Sequence, residues 1–296
     1  MKPWLLSFCS SNLDGWIRSP LKRIRRQAEA MGVFDDRLRV WTERDLDAGF
    51  RERMGARLDG NPRGYGYWSW KPQIVLQALR EMPEGDVLLY IDAGCHLNPR
   101  GRKRLLEYFC LAQKHGIVAF QSRSRDEARK GDASQHFLTD GAWCKGDLLD
   151  FFGVRGDASV TATGQLGGTA FLVCKTAETL AFFTRFLSVF EGHFELCDDS
   201  PSRLPNLPGF VENRHDQSVF SLLGKEKGVF SLSCGEYARI NGFAPRAERR
   251  DVRHWPRRWS DLADCPIWAR HDKGGIRSLV PEWAKNAAHR MTGGRI

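Results

Sequence analysis

The sequence predicts an α/β fold: a mainly parallel sheet flanked by helices, followed by a basic C-terminal extension. Three observations carry that prediction. The run VLLYI at residues 87–91 is continuously apolar rather than alternating, which marks a strand covered on both faces. Short apolar runs alternate along the chain with helix-spaced segments, the order that builds parallel sheets. The 87–91 strand stops abruptly at Asp92, followed by the small residues Ala93 and Gly94. Open α/β sheets take their ligands at the carboxyl ends of strands, where small residues let a ligand approach the backbone.

Taken in order, residues 5–9 read as the first strand. Ser19-Pro20 caps a helix over about 21–31, with Leu21, Ile24 and Ala28 inward and Lys22, Arg23, Arg25 and Arg26 outward. Residues 38–41 form a second strand, and Thr42 caps a helix carrying Leu46, Phe50 and Met54. The aromatic, glycine-spaced stretch RGYGYWSW at 63–70 comes next, and Lys71-Pro72 opens a helix with Ile74, Val75, Leu76, Leu79 and Met82 inward. Asn98-Pro99 caps the helix that follows the central strand, and 117–120 is the next strand. Residues 122–139 are polar and charged, as a mobile or substrate-facing loop is. GQLGG at 164–168 leads into a strand at 169–173, then an apolar helix at 176–190, a helix at 213–223 and a strand at 229–232. The catalytic domain is expected to span 1–245, with 246–296 packing on it or completing it.

The chain has 296 residues, 42% of them hydrophobic, enough for one large α/β domain. No stretch approaches the roughly 18–20 apolar residues of a membrane span, and the first strand begins almost at Met1 without a long apolar leader. A cytoplasmic protein is therefore expected, with its eight scattered cysteines reduced and Cys110 and Cys174 serving as small buried hydrophobes. No pair of cysteines is spaced as CxxC, which argues against a zinc knuckle or a redox motif. The formal charge is +9, and residues 246–296 hold twelve Lys/Arg against six Asp/Glu. Such a segment suits an anionic partner or is a solvated surface, and a helix expected over 280–291 would either lie on an anionic membrane at the inner face or pack on the domain.

The segments GYGYWSWKP, GDVLLYIDAGC, GQLGG and ENRHDQSVF, in that order, resemble bacterial nucleotide-sugar glycosyltransferases of the GT-A type, many of which act in capsule or lipopolysaccharide assembly. The resemblance covers roughly residues 3–275. It implies a Rossmann-type nucleotide-binding half, a strand ending in an Asp-X-Asp motif, and a divalent metal, Mn²⁺ or Mg²⁺, bridging the diphosphate of a nucleotide-sugar donor, a UDP-sugar first of all. The matching motif here is Asp92-Ala93-Gly94, so the second acid is missing and the metal needs help from elsewhere. His96 or a later histidine could supply a second ligand, and by position His271 is the best match. The resemblance places base and ribose contacts at Ser7, Cys9 and Ser10.

The chemistry of sugar transfer assigns the other candidates. Charge builds on the diphosphate as it leaves, and Arg63, Lys71, Arg270 and Lys273 are available to meet it. Trp68 and Trp70 offer flat surfaces to nucleotide or sugar. Asp216 is the expected base for the acceptor hydroxyl, with Asp92 the other catalytic acid. Gln165, Gly167, Gly168 and His215 are expected to face donor sugar or acceptor, a saccharide or a lipid-linked saccharide.

Simpler roles compete: Trp68 and Trp70 as a lid over the core, Asp216 as a helix N-terminal acid, His271 as a surface histidine. The sequence lacks a GxxxxGK[ST] loop, a GxGxxG after the first strand and a GxSxG elbow, which weighs against ATPase, dehydrogenase and hydrolase-elbow chemistry. Two other classes remain as alternatives: a metal-dependent nucleotide phosphohydrolase, and a non-enzymatic basic module for nucleic acid or membrane. Nucleic acid is not the expected partner.

Overall fold

The computed structural model describes residues 1–10, 20–59, 63–122, 139–237 and 264–270. The strands are β1 (Pro3–Phe8), β2 (Leu38–Trp41), β3 (Val87–Ile91), β4 (His96–Leu97), β5 (Ile117–Gln121), β6 (Ala170–Cys174), β7 (Phe230–Ser233) and β8 (Ile267–Trp268). Six of them form one sheet in the order β2-β1-β3-β6-β5-β7, while β4 and β8 pair as a separate antiparallel ribbon. The expected α/β class with a mainly parallel sheet is what the molecule has. One strand departs from it: β6 runs antiparallel to both β3 and β5. The reversal matters for the site, because Ile91 then pairs with Ala170. Residues that lead into β6 therefore share an edge with residues that leave β3.

The principal helices are α1 (Pro20–Met31), α2 (Ala48–Asp59), α3 (Trp70–Glu81), α4 (Arg102–His115), α5 (Gly146–Phe151), α6 (Ala177–Gly192) and α7 (Asp216–Glu226). They cover the two faces of the sheet, and the period-2 alternation of strand side chains sorts the core between them. Leu88 and Tyr90 face the layer of α2, α3, α6 and α7, with Phe171, Phe183 and Phe220 packed there. Val87, Leu89 and Ile91 face α1 and α4. Asp92 continues the Leu88–Tyr90 row, which aims it toward α3 and α7.

Several boundaries differ from expectation for local reasons. Thr42 caps a short 3-10 turn at Glu43–Asp45, in a reciprocal capping box with Asp45, and α2 starts only at Ala48. Asn98 likewise caps a 3-10 turn, Pro99–Gly101, before α4 begins. Thr176 caps α6 with Thr179 closing the box. Leu21, Ile24 and Ala28 are buried as their spacing requires. Arg23 is not turned to solvent: it donates to the carbonyls of Ala93 at 2.6 Å and Cys95 at 3.1 Å. None of the eight cysteines is joined in a disulfide; Cys174 is buried, but Cys110 is exposed, on the outer side of α4. Among the described residues, no helix is long and apolar enough to cross a membrane. His271, Lys273, the helix expected over 280–291 and most of the loop at 122–139 lie outside the described residues.

Candidate active site at the carboxyl edge of the sheet

Lys71 stands at the centre of the site. It lies in the first turn of α3, where Pro72 follows without a missing hydrogen bond because first-turn N–H groups are unpaired anyway. Its Nζ reaches across the end of β3. It lies 2.5 Å from Asp216 Oδ2 and 3.4 Å from Asp92 Oδ1, and it donates to the Gly168 carbonyl at 2.9 Å. It also sits 5.1 Å from the centre of the Tyr90 ring. The four oxygen- and nitrogen-bearing groups come from four different elements: α3, the end of β3, the loop before β6, and the start of α7.

Each partner is held in turn. Tyr90 donates its hydroxyl to Asp92 Oδ1 at 2.7 Å, one strand period earlier on the same face. The Asp92 amide donates to the Thr169 carbonyl at 2.9 Å, tying the end of β3 to the reversed strand. Gln217 accepts from the Gly168 amide at 3.1 Å and donates to Gln165 Oε1 at 2.6 Å. Gly168 has no room for a side chain larger than hydrogen without pressing on Asp216, since a Cβ there would stand 3.1 Å from Oδ2. A Cβ on Gly167 would collide with the Tyr237 hydroxyl. The GQLGG sequence is thus a close-packed floor.

Burial separates the two acids. The Asp216 side chain is 7% exposed and that of Lys71 3%, whereas Asp92 keeps 32% of its side chain in contact with solvent. Burial pushes the Asp216 carboxyl up to about 6, with the charge of Asp92 adding to the rise and Lys71 opposing it. For Lys71, burial acts against the charge, but the two carboxylates outweigh it and hold the ammonium above its usual range. At neutral pH the cluster is one ammonium between two carboxylates, and Asp92 is the member that meets solvent.

The aromatic loop is built by strain. Gly64, Tyr65, Gly66, Tyr67 and Trp68 all have positive φ, a left-handed turn that non-glycine residues rarely adopt. Gly66 is required here twice over: its φ is 77°, and a Cβ would meet the Leu58 Cα at 2.9 Å. The turn brings the Trp68 ring onto His215, 5.6 Å away and stacked, with Tyr67 at 4.8 Å. His215 is itself strained at φ 54° and sits just before α7. Its Nδ1 donates to the Cys197 carbonyl at 2.7 Å, leaving Nε2 3.6 Å from Asp199. Burial lowers its pKa, which favours the neutral ring.

The expected site residues therefore divide. Lys71, Asp92, Gln165, Gly167, Gly168 and Asp216 come together at one edge, and His215 precedes Asp216 directly. Ala93 and Gly94 follow Asp92 in a half-exposed turn. Trp70 does not present a free face: it is buried, stacked 4.0 Å from Phe8, and donates to the Gly64 carbonyl at 2.9 Å. Trp68 is only half-buried, but its ring covers His215. Arg63 is held in an ion pair with Asp199 at 2.9 Å and approaches Glu212 at 3.3 Å, so its charge is already countered. Ser7 and Cys9 are buried and Ser10 half-buried at the carboxyl end of β1. Among the described residues, the Ser7 hydroxyl has no hydrogen-bond partner.

Sequence reasoning missed four contributors. Tyr90 was readable as the i−2 neighbour of Asp92 on one strand face. Gln217 was readable beside Asp216. Arg23 and Tyr237 carried no local signal, since only the tertiary fold brings them to this edge.

The divalent ion implied by the resemblance needs several oxygen ligands. Three oxygens do converge, from Asp216, Asp92 and Gly168, but they converge on the Lys71 ammonium. Among the described residues, no group of three or more His, Cys, Asp or Glu side chains is placed to hold a metal. The described residues do not fit a divalent ion at this cluster.

No family model matches the chain. No curated protein matches it either. Among solved structures, it is similar to a glycosyltransferase involved in the glycosylation of the major capsid of PBCV-1, at 10% identity and TM-score 0.43, covering 81% of this chain and 86% of that one. It is also similar to mouse xyloside xylosyltransferase 1 in its apo form, at 12% identity and TM-score 0.43, covering 95% of this chain and 100% of that one. A third similarity, to 4-diphosphocytidyl-2C-methyl-D-erythritol synthase from Anaerococcus prevotii DSM 20548, has 11% identity and TM-score 0.30, covering 76% and 96%.

Proposed function

We propose that the chain is a GT-A-like glycosyltransferase that moves a sugar from a nucleotide-diphosphate donor, a UDP-sugar first of all, to a hydroxyl of a saccharide or lipid-linked acceptor. The observation that carries the reading is the convergence of Asp92, Lys71, Asp216 and the Gln165–Gly168 floor on one carboxyl edge, with Asp92 alone open to solvent. In α/β sheets that edge is where nucleotides and their sugars bind.

In this reading Asp92 accepts the acceptor hydroxyl's proton as the hydroxyl attacks the anomeric carbon. A carboxylate at this place contributes typically 10²–10⁴-fold to such a step. Asp216, buried and paired, positions Lys71 and through it Asp92. The departing diphosphate needs positive charge. Arg23 brings a guanidinium to the loop after Asp92, which it holds by two carbonyls. The basic 246–296 segment suits work at an anionic membrane surface, as surface polysaccharide assembly requires.

Thermal shift with UDP, GDP and CMP, each with EDTA or Mn²⁺, tests the reading. A nucleotide at a hundred times its dissociation constant should stabilise the fold by about 2.7 kcal/mol. No stabilisation by any of the three in either condition would sink it, and release of free phosphate without an acceptor would identify a phosphohydrolase instead.

A further inference from the structure

We infer that the Lys71 ammonium is the resident cation of a three-oxygen cage, held where a divalent ion would otherwise sit, and that ligand binding at this edge needs no divalent metal. The inference rests on the nucleotide-donor reading only for the choice of nucleotide as a probe.

The ammonium is held by one hydrogen bond and two ion pairs. An ammonium has three N–H donors. Lys71 meets three oxygens, the Asp216 and Asp92 carboxylates and the Gly168 carbonyl, at 2.5, 3.4 and 2.9 Å. Two carboxylates and a backbone carbonyl are the hard oxygen donors that Mg²⁺ and Mn²⁺ prefer. The ammonium takes up the charge that would recruit such an ion and repels any that approaches the inner oxygen of Asp92.

The lysine is also fixed in place. Its side chain is 3% exposed, and it leaves a helix whose first residue, Trp70, is clamped between Phe8 and the Gly64 carbonyl. The floor beneath it is locked by Gln217 on the Gly168 amide. Exchange for a metal ion would strip the buried ammonium of both carboxylates while leaving it in the interior, so it is opposed from within the fold.

The experiment is a Mn²⁺ titration followed by the electron paramagnetic resonance of the free ion, on the full chain without nucleotide. Three proteins are compared: wild type, Lys71→Ala, and Lys71→Ala with Asp216→Asn. Wild type should bind Mn²⁺ no tighter than about 1 mM, the range of weak, poorly organised oxygen sites. Lys71→Ala should gain one site at least ~10-fold tighter, and the double variant should lose that gain because a carboxylate of the cage is gone. A wild-type site as tight as the variant's, or a folded Lys71→Ala that gains none, overturns the inference.

Should Lys71→Ala fail to fold, wild type alone decides. Its thermal shift with UDP should be the same in EDTA as in Mn²⁺, and a shift seen only with Mn²⁺ overturns the inference. If UDP, GDP and CMP give no shift at all, the donor reading fails, and the wild-type Mn²⁺ titration still judges the cage: absence of a tight site supports it, and a tight site overturns it.

Discussion

Lys71 Nζ lies 2.5 Å from Asp216 Oδ2, with both side chains almost wholly buried. The two residues begin different helices, α3 and α7, and meet across the end of β3. The pair brings the two helix starts to one point and leaves Asp92 as the carboxylate that solvent and a ligand can reach.

That division of labour makes Asp92 the sharper catalytic target. Asp92→Ala should lower sugar transfer at least ~100-fold, within the range for loss of a general base. The variant should keep its far-UV circular dichroism and melt cooperatively, at a somewhat lower temperature, because the side chain is one-third exposed but accepts from the buried Tyr90 hydroxyl and pairs with Lys71. Wild-type turnover by Asp92→Ala would remove it from the site.

Lys71→Met should destabilise the fold by about 3–5 kcal/mol at pH 8, the cost of a buried charge left without its partner. The loss should shrink in acid. Asp216 already has a folded-state pKa raised to about 6 against an ordinary 3.8, and without Lys71 it rises further. A group raised on folding binds its proton more tightly in the folded state, so stability is greatest at low pH and falls as pH climbs through that window. Chemical denaturation at pH 5 and pH 8 measures the difference. Equal loss at both would show that Asp216 does not carry the uncompensated charge.

The wild-type rate should rise with pH through about 6, as the Asp216 carboxyl ionises and the cluster takes its charged form. Asp216→Asn, which cannot ionise, should lose that limb while keeping a reduced rate on the plateau. A limb unchanged in the variant would assign the titration to another group.

Gly66→Ala should cost at least about 1–3 kcal/mol, the range for a non-glycine residue forced into a sparsely populated conformation. Its φ is 77°, and the added carbon would press on Leu58 Cα. For a chain of this size each kcal/mol lowers the melting temperature by roughly 2–4 °C. An unchanged melting temperature would mean that the left-handed turn relaxes freely and that its strain positions nothing.

The sequence by itself determined the strands and helices and the strand that ends in Asp92. Those features follow from local physics: an apolar run buried on both faces, caps such as Thr176, and the apolar spacing of residues 74–82. It also brought Lys71, Gly168 and Asp216 forward as separate candidates, because their residue types and neighbours are chemically legible one at a time. Only the tertiary structure decided that they touch. The reversal of β6 places Gly168 beside the end of β3, since strand direction depends on the route of a connection that no residue pattern announces. Burial then divided the roles. Trp70 belongs to the core because Phe8 lies against it, and Arg63 is countered because Asp199 arrives from far along the chain. Asp92 and Asp216 look alike as residues. What distinguishes them is how much water each retains, and that is a property of the folded surface rather than of the chain.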